Sequence, residues 1–308
     1  MKGMIRTLSL GAVLTFIAGS LWAGGKAGTT GAAFLKIGAG ARAAAMGNTF
    51  TAVADDADAS IWNPAGLTQL SRPQITAAHT QWIQGGQHDS WAYAHPTKGG
   101  TFAASVVTLA YEGIERRTED TDDAEGTFGS LDGAYGLSYG RTVLDQLSLG
   151  LGMTFVRQSI DSESAAVPTG TVGALWKTPI SFLTLGTAVR NIGGSIDFVE
   201  EGDPLPMTVA FGVAGRFLKD RLLCTTEVRA VRHESPALGV GVEVSPRLYK
   251  NAVGHLRAGY RSDVQDVSDA TGASLGLGFS FPRWGFDATW APYGVLGDTF
   301  RYAFRFSF

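Results

Sequence analysis

Phe300-Arg301-Tyr302-Ala303-Phe304-Arg305-Phe306-Ser307-Phe308 is the stretch that predicts the fold of this chain. Aromatic residues hold every even position, and small or charged residues hold every odd position. Because successive side chains of a β-strand point to opposite faces, the stretch predicts a strand with one aromatic and one polar face. A soluble protein leaves such a terminal face uncovered, whereas in a membrane barrel it faces lipid. We therefore expect a transmembrane barrel.

The same two-residue alternation recurs along most of the chain. Its clearest example is Leu147-Ser148-Leu149-Gly150-Leu151-Gly152-Met153-Thr154-Phe155, in which apolar residues hold the odd positions. A helix would need apolar residues every three or four positions. The predicted fold class is all-β, a transmembrane antiparallel β-barrel of about 14 strands. The expected strands lie near 74–82, 88–96, 100–111, 131–141, 146–157, 169–177, 181–190, 206–217, 221–231, 237–245, 252–261, 272–281, 283–291 and 297–308.

The links between the expected strands alternate in length, as they do in bacterial outer-membrane barrels, where periplasmic turns are short and outer loops long. Short turns are expected at 99–100, 145–146, 178–179, 219–220 and 282–283. Longer polar links are expected at 112–130, 158–168, 191–205 and 261–271. Candidates for the two aromatic girdles of a barrel are Trp82, Trp91, Tyr93, Tyr139, Trp176, Tyr260, Trp284, Trp290 and Tyr302.

Composition supports a barrel over other classes of protein. The 308 residues include 41 glycines, and the mean hydropathy of +0.07 is too low for a helical membrane protein. A barrel needs apolar residues only at alternate positions. A soluble β-sandwich also alternates, but its outer face should be rich in Lys and Glu, and here the second face is small and nearly uncharged. The net charge of −3 without a basic block argues against nucleic acid as a partner.

The first 23 residues have the pattern of a secretory signal peptide. Lys2 and Arg6 precede an apolar stretch from Leu8 to Leu21, and Ala23 is a plausible cleavage position. The stretch is too short for a spanning helix, and the alternative interpretation is a retained anchor. The predicted division of the chain is therefore a signal peptide (1–23), a non-alternating segment (24–70) and the barrel (71–308).

Residues 32–70 break the alternation and are rich in Ala and Gly. One or two short helices and a turn are expected there. Pro64 fixes its own φ and biases Asn63 toward an extended conformation. Asn63 is then placed to cap the turn that begins at Pro64.

This segment resembles the N-terminal signature of the PorV/PorQ family, which belongs to the FadL-like outer-membrane barrels. The matching pieces are Phe34-Leu35-Lys36-Ile37-Gly38, Gly40-Ala41-Arg42-Ala43, Met46-Gly47, Ala52-Val53-Ala54-Asp55-Asp56 and Trp62-Asn63-Pro64-Ala65-Gly66-Leu67. The resemblance implies that residues 24–70 form a hatch inside a 14-stranded barrel in the bacterial outer membrane. It also implies one of two tasks: PorV-type members receive secreted cargo for type IX secretion, and some FadL-like members pass hydrophobic molecules.

Small residues in the hatch would let its backbone approach the barrel wall closely, and its few charges would need partners inside the bore. Arg42 is the only positive charge between Lys36 and Arg72. We expect Arg42 to pair with the nearby acids or with a wall acid and so to pin the hatch. The hypothetical hatch and lumen residues are Arg42, Asp55, Asp56, Asp58, Asn63 and Pro64, and candidate wall partners are Arg141, Arg190, Arg216 and Glu243. The alternative is a solvated linker with scattered charges.

Several motifs resemble chemical sites but lack the context that the chemistry needs. Ser138 fits a G-x-S-x-G pattern but lies inside an alternating strand rather than a strand-turn-helix elbow. The carboxylates of 119–125 do not have the spacing of the known calcium loop, and the histidines have no metal-ligand spacing. Cys224 is the only cysteine and is expected to be inert. The sequence thus predicts no enzyme, no metal and no cofactor.

The main functional hypothesis is docking or transfer of cargo at the outer membrane, with secretion-system components or secreted cargo as partners. The alternative is a FadL-like transporter of hydrophobic small molecules, with a hydrophobic ligand as partner. Either role implies contact with outer-membrane lipid and with the barrel assembly machinery. The aromatic positions of the last strand resemble the signal that this machinery reads, and they are Phe300, Tyr302, Phe304, Phe306 and Phe308.

Overall fold

The computed structural model of the chain describes residues 28–118, 123–198, 202–264 and 271–308. The predicted signal peptide (1–23) and part of the carboxylate-rich link (119–122) lie outside the described residues. Within those ranges, no helix has both the length and the apolar character needed to cross a membrane.

The elements of the described residues are mostly strands, with a few short helices. The strands are β1 (Gln74–Gln81), β2 (Gln87–Thr97), β3 (Gly100–Arg116), β4 (Gly126–Leu144), β5 (Leu147–Ile160), β6 (Glu163–Lys177), β7 (Leu183–Gly193), β8 (Ser195–Asp197), β9 (Gly202–Pro204), β10 (Thr208–Phe217), β11 (Leu222–Val231), β12 (Ala237–Val244), β13 (Arg247–Tyr249), β14 (Ala252–Arg261), β15 (Ala273–Ser280), β16 (Trp284–Pro292) and β17 (Asp298–Ser307). The α-helices are α1 (Ala41–Ala45) and α2 (Ala59–Trp62). The 3-10 helices are Ala33–Lys36, Pro64–Gln69, Ile83–Gly85, Ser262–Val264 and Gly294–Leu296.

Fourteen of the described strands form a closed antiparallel barrel, which confirms the predicted fold class. Neighbouring strands pair in chain order, and two pairings complete the ring. β1 pairs with β17, where Gln74 lies opposite Ser307, and β12 pairs with β14, where Gly239 lies opposite Arg261. The remaining three strands are short: β8 and β9 pair only with each other, and β13 pairs with the first residues of β14.

The alternation in the sequence is the alternation between the two faces of the wall. In β12 every second residue, beginning at Ala237, is buried, and every residue between them is exposed. The inner residues are mostly small or hydroxyl-bearing, whereas the outer residues are Leu, Val and aromatic side chains. The outer surface of the barrel is therefore apolar, since these side chains point away from the rest of the protein.

Two of the expected long links are wrong, because the strands beside them continue. Strands β3 to Arg116 and β4 from Gly126 occupy much of 112–130, and β5 and β6 approach each other across 161–162. These extensions lack the apolar alternation, and the β3–β4 pairing shifts register between Tyr111 and Ile114. The expected link 191–205 also contains the end of β7 and the β8–β9 hairpin. The part of a strand that extends beyond the apolar outer surface does not need an apolar face. Its sequence therefore lacks the two-residue alternation and predicts a loop.

The hatch, here the described residues 28–70, fills the bore of the barrel. It begins at the end that carries the long loops, where the amide of Gly31 donates to the carbonyl of Pro204 at 3.1 Å. Helix α1 packs against β14, β15, β16 and β17, and the 3-10 helix Pro64–Gln69 packs against β4, β5 and β6. The hatch then runs into β1 at the end that carries the short turns. Most of its side chains are buried.

Candidate functional site in the barrel lumen

Glycines on the inner wall let the hatch backbone lie directly against the strands. A Cβ at Gly150 of β5 would lie 2.2 Å from the amide nitrogen of Ala65, and a Cβ at Gly259 of β14 would lie 2.1 Å from that of Gly47. Both distances are far below van der Waals contact, so a larger residue would displace the hatch. The small residues of the alternating strands are therefore the positions that seat the hatch.

Charged groups of the hatch and the wall form one continuous ion-pair network. The Arg42 guanidinium donates to Asp55 at 2.5 Å and to both carboxylate oxygens of Glu243, at 2.8 and 3.0 Å. Asp55 also accepts from Arg216 at 2.8 Å. Glu243 also accepts from Arg257 at 2.6 Å, and Arg257 donates in turn to Asp287 at 2.6 Å. Three arginines and three carboxylates thus alternate, which leaves the network without net charge.

The pairing sets the ionisation of the hatch groups. Burial alone would lower the pKa of Arg42, but the charges of Asp55 and Glu243 outweigh it and raise that pKa well above its ordinary value. Burial would raise the pKa of Asp55, but Arg42 and Arg216 outweigh it and lower that pKa. Both groups are therefore charged at neutral pH, as an ion pair between hatch and wall requires.

Asp56 and Asp58 lie beside this network but outside it. Burial, and then the neighbouring charges of Asp58 and Asp55, raise the pKa of Asp56 to about 8. Burial also raises the pKa of Asp58, against the hydrogen bond that its Oδ1 accepts from Thr76 at 2.5 Å. Of the three predicted acids, the structure therefore joins only Asp55 to Arg42. Sequence spacing could not separate them, because the selection depends on which wall residue each carboxylate meets.

Asn63 and Pro64 form the turn that seats the lower part of the hatch. The Asn63 Oδ1 accepts from the amide of Ala65 at 3.2 Å, and Asn63 is extended with φ −157°, so it caps the helix that begins at Pro64 as the sequence predicts. Its Nδ2 donates to the carbonyls of Thr51 at 2.8 Å and Ala174 of β6 at 3.1 Å. A single buried side chain therefore joins this turn to the rest of the hatch and to the wall.

A cavity of about 680 Å³ lies between the upper part of the hatch and the wall. Both the hatch and the wall contribute apolar residues to its lining, among them Phe34, Leu35, Ile37, Ile61, Val107 and Ala134. The wall beside it is irregular, because the β6–β7 pairing shifts register between Gly170 and Val172. This volume lies within the range of small-molecule binding sites.

The polar lining of the cavity is mostly paired. Lys36 pairs with Glu234 at 2.8 Å. Asp263 forms ion pairs with Arg229, at 3.2 Å, and with Arg261, at 2.8 Å. Arg190 lies over the ring of Trp62, with its guanidinium carbon 4.9 Å from the ring centroid. The cavity is consequently amphipathic, with apolar surface on both the hatch and the wall and with arginines on the wall.

The other residues singled out in the sequence occupy different places. Phe300, Tyr302 and Phe304 point outward and are exposed, as is Phe308. Arg141 is also exposed and lies beside Leu149, which points outward, so its expected role as a lumen partner is wrong. Odd-numbered residues in this part of β4 point outward, and Arg141 is one of them. Trp82 is no girdle residue: its ring lies 5.1 Å from that of Tyr293 at the mouth of the barrel.

The structure assigns structural roles to the motifs that resemble chemical sites. The hydroxyl of Ser138 points into the bore and donates to the carbonyl of Ser60 at 3.1 Å. Among the residues that the structure describes, no three His, Cys, Asp or Glu side chains are grouped to hold a metal ion. Sequence reasoning missed Arg257 and Asp287, although each occupies an inward position in its strand. The alternation of inward and outward positions along these two strands is the sequence signal that would place both residues in the lumen.

Comparison with solved structures identifies the fold. The Pseudomonas putida toluene transporter TodX matches with a TM-score of 0.64 at 11% identity, over 88% of this chain and 98% of TodX. The CymD monoaromatic hydrocarbon channel matches with a TM-score of 0.62 at 14% identity, over 88% and 98% of the two chains. A Pseudomonas aeruginosa FadL homologue matches with a TM-score of 0.55 at 13% identity, over 84% and 96%. The chain therefore has the fold of these FadL-type barrels.

Similarity in sequence covers less of the chain than similarity in structure. The model of an uncharacterised protein family, UPF0164, matches residues 12–150. A search of curated proteins by sequence finds no match. This chain is thus similar to UPF0164 over its first half and to outer-membrane barrels of the FadL type over nearly all of its fold.

Proposed function

We propose that this protein is a bacterial outer-membrane conduit for hydrophobic small molecules, and that the cavity above the hatch is its ligand site. The observation that carries the proposal is the combination of a FadL-type barrel with an amphipathic cavity of about 680 Å³ in its lumen. The structural neighbours TodX and CymD are described as a toluene transporter and a monoaromatic hydrocarbon channel.

The outer face of the barrel supports a membrane location. Leu137, Leu151 and Met153 are more than 60% exposed, and they lie in the middle of strands rather than in loops. Side chains of this kind would be costly in water but favourable against hydrocarbon. The band of aromatic residues at the short-turn end has the position of an interfacial girdle.

The hatch imposes a condition on transport. The cavity is bounded below by Ser60, Ile61 and Trp62, and beneath them the hatch lies against wall glycines such as Gly150. The hatch also packs against β4, β5 and β6 and against β14 to β17, so a ligand in the cavity meets packed hatch residues on the way through the bore. Passage requires either a shift of the hatch or a route through the wall beside the cavity.

Uptake of a hydrophobic probe tests the proposal. Intact cells of a Gram-negative host are given 1-N-phenylnaphthylamine, which fluoresces when it reaches the apolar phase behind the outer leaflet. We expect expression of the protein to speed uptake, and Thr154→Phe to remove the increase because Thr154 lines the cavity. Met153→Phe is the matched control, since Met153 is the outward-facing neighbour and is 68% exposed. Equal uptake by the two variants, or no increase with the unaltered chain, would contradict the proposal.

Docking of cargo, as in PorV-type proteins, is the second candidate. The observation in its favour is the resemblance of residues 33–67 to the PorV/PorQ signature. A docking protein needs a broad apolar or grooved outer rim, whereas the described part of the long-loop rim is rich in carboxylates such as Glu112, Asp161 and Asp197. Capture of the detergent-solubilised protein with known secretion-system components would favour docking, and their absence from the captured material would count against it.

A further inference from the structure

The two ends of the barrel carry opposite charge. The short-turn rim comprises residues 71–73, 98–99, 141–146, 177–182, 217–221, 245–251 and 281–283. Its exposed basic side chains are Arg72, Lys98, Arg141, Lys177, Lys219, Arg221, Arg247, Lys250 and Arg283, and its exposed acids are Asp145 and Asp220. At the long-loop end the balance is reversed: the exposed acids of its described part are Glu112, Glu115, Asp123, Glu125, Asp161, Glu163, Asp197, Asp203, Asp263 and Asp298, and its exposed arginines are Arg117 and Arg157.

Within the described residues, no basic side chain of the short-turn rim forms an ion pair. The ion pairs found there join groups of the hatch, the lumen, the outer wall and the long-loop end. Like charges gathered at one rim repel each other, which costs free energy unless an external anion neutralises them. The rim is therefore complementary to a negatively charged surface.

The position of these bases relative to the aromatic girdle indicates what the negatively charged surface is. Arg141 follows Tyr139 by two residues, Lys177 follows Trp176, and Arg283 precedes Trp284. Trp176 and Trp284 are 43% exposed on the outer face, so the bases stand one step beyond the aromatic band, toward the turn. Lys and Arg in this position extend their charged ends to the phosphate level of a bilayer while their stems remain beside the apolar band.

Exposed apolar side chains accompany the bases in the same turns. Leu144, Leu218 and Tyr249 are 66%, 71% and 74% exposed, and each lies within three residues of a rim base. Mixed basic and apolar surface of this kind suits the headgroup region, where apolar groups reach the acyl boundary and cations meet phosphate.

We propose that the short-turn rim binds the anionic headgroups of phospholipids in the leaflet that surrounds it. The proposal rests on the membrane location proposed above, but not on the passage of any ligand through the lumen. The bases form a discontinuous ring on successive turns, so several headgroups are bound around the circumference. This contact fixes the depth of the barrel, and it gives the short-turn end a preference for the leaflet that holds anionic lipid.

The test measures lipid selectivity of the purified full chain in detergent. The protein is mixed with equal amounts of phosphatidylglycerol and phosphatidylcholine, and the bound lipids are counted by native mass spectrometry. We expect phosphatidylglycerol to be favoured by about tenfold at low salt, and the preference to shrink in high salt because the contacts are electrostatic. Equal binding of the two lipids, or a preference that salt does not change, would overturn the proposal.

Two variants with the same change in charge locate the contact. The rim variant combines Lys98→Gln, Lys177→Gln, Lys219→Gln and Lys250→Gln. The control variant removes four bases toward the other end, by Arg116→Gln, Arg117→Gln, Arg157→Gln and Arg232→Gln. We expect the rim variant to lose most of the preference and the control variant to keep it, with both retaining the heat-resistant mobility of a folded barrel.

Two further outcomes would also overturn the proposal. One is an equal loss of preference in both variants, which would mean that net charge alone attracts the lipid. The other is binding of soluble poly-glutamate by the rim without any preference for phosphatidylglycerol, which would identify an acidic protein as the partner. Because none of these measurements involves uptake, their failure is distinguishable from failure of the proposed conduit.

Discussion

Arg42→Met is the substitution that most directly probes how the hatch is held. Arg42 contacts a wall acid, Glu243, and another hatch charge, Asp55, and it donates three hydrogen bonds within the network. Methionine keeps much of the length of the side chain and removes its charge and its donors. The substitution therefore removes the ion pairs without opening a large cavity.

The expected cost follows from what the substitution leaves behind. Arg42 donates three charge-assisted hydrogen bonds, at 2.5, 2.8 and 3.0 Å, in a setting where its side chain is 12% exposed. Each acid keeps one other arginine, since Asp55 retains Arg216 and Glu243 retains Arg257. A buried acid left with no partner costs about 3–5 kcal/mol, so with one partner retained we expect a loss of about 3 kcal/mol in the free energy of unfolding.

Lys36→Met provides the matched control. Lys36 is also a hatch cation paired with an acid outside the hatch, Glu234 of the β11–β12 loop, at 2.8 Å, but the two side chains are 28% and 26% exposed. A solvated pair of this kind contributes about 0–1 kcal/mol. Urea unfolding in detergent micelles, followed by tryptophan fluorescence, measures both variants. Equal costs for the two substitutions would refute the reasoning that the buried network pins the hatch.

Two further substitutions and one deletion have defined expectations. Gly150→Ala should displace the hatch and lower the unfolding midpoint, because its Cβ would meet Ala65, whereas Gly126→Ala, which meets nothing within 4 Å, should be nearly neutral; similar midpoints would contradict this. With its pKa raised to about 8 from an ordinary 3.8, Asp56 binds more protons in the folded than in the unfolded protein, so stability should fall as pH rises from about 4 to 8, and Asp56→Asn should flatten that fall in unfolding curves at pH 5 and 9. Deletion of Phe308 should reduce the amount of heat-modifiable barrel in outer-membrane fractions if the assembly machinery reads the terminal aromatic, and an unchanged amount would remove that role.

The sequence predicts the barrel because its signal repeats in every strand. All fourteen wall strands lie where alternation indicates them. The pattern of Leu147–Phe155 is the clearest because its outward residues form the apolar outer surface and its inward residues are small enough to face the hatch. The pattern ends where those two surfaces end. The upper parts of β3 and β4, and the short strands β8, β9 and β13, have no apolar face to reveal them.

The lumen site was only partly predictable for a different reason. The sequence identifies Arg42 and the acids as groups that need partners, because charge in an otherwise small and apolar segment is conspicuous. It cannot choose Asp55 over Asp56, since that depends on where Arg216 and Glu243 enter the bore. Arg141 is no lumen partner because it occupies an odd-numbered position of β4, as do the outward-facing Tyr135 and Leu137.

The central claim is that the chain closes into a cylinder with hydrocarbon outside and the hatch within. Nitroxide labels along β5, in a protein with Cys224→Ser, test it directly in reconstituted bilayers. At Leu151 and Met153, which point outward, we predict high accessibility to dissolved oxygen and low accessibility to a water-soluble nickel chelate. At Gly152 and Thr154, which point inward, we predict low accessibility to oxygen. Accessibility without a two-residue period, or high nickel accessibility at the outward positions, would contradict the account.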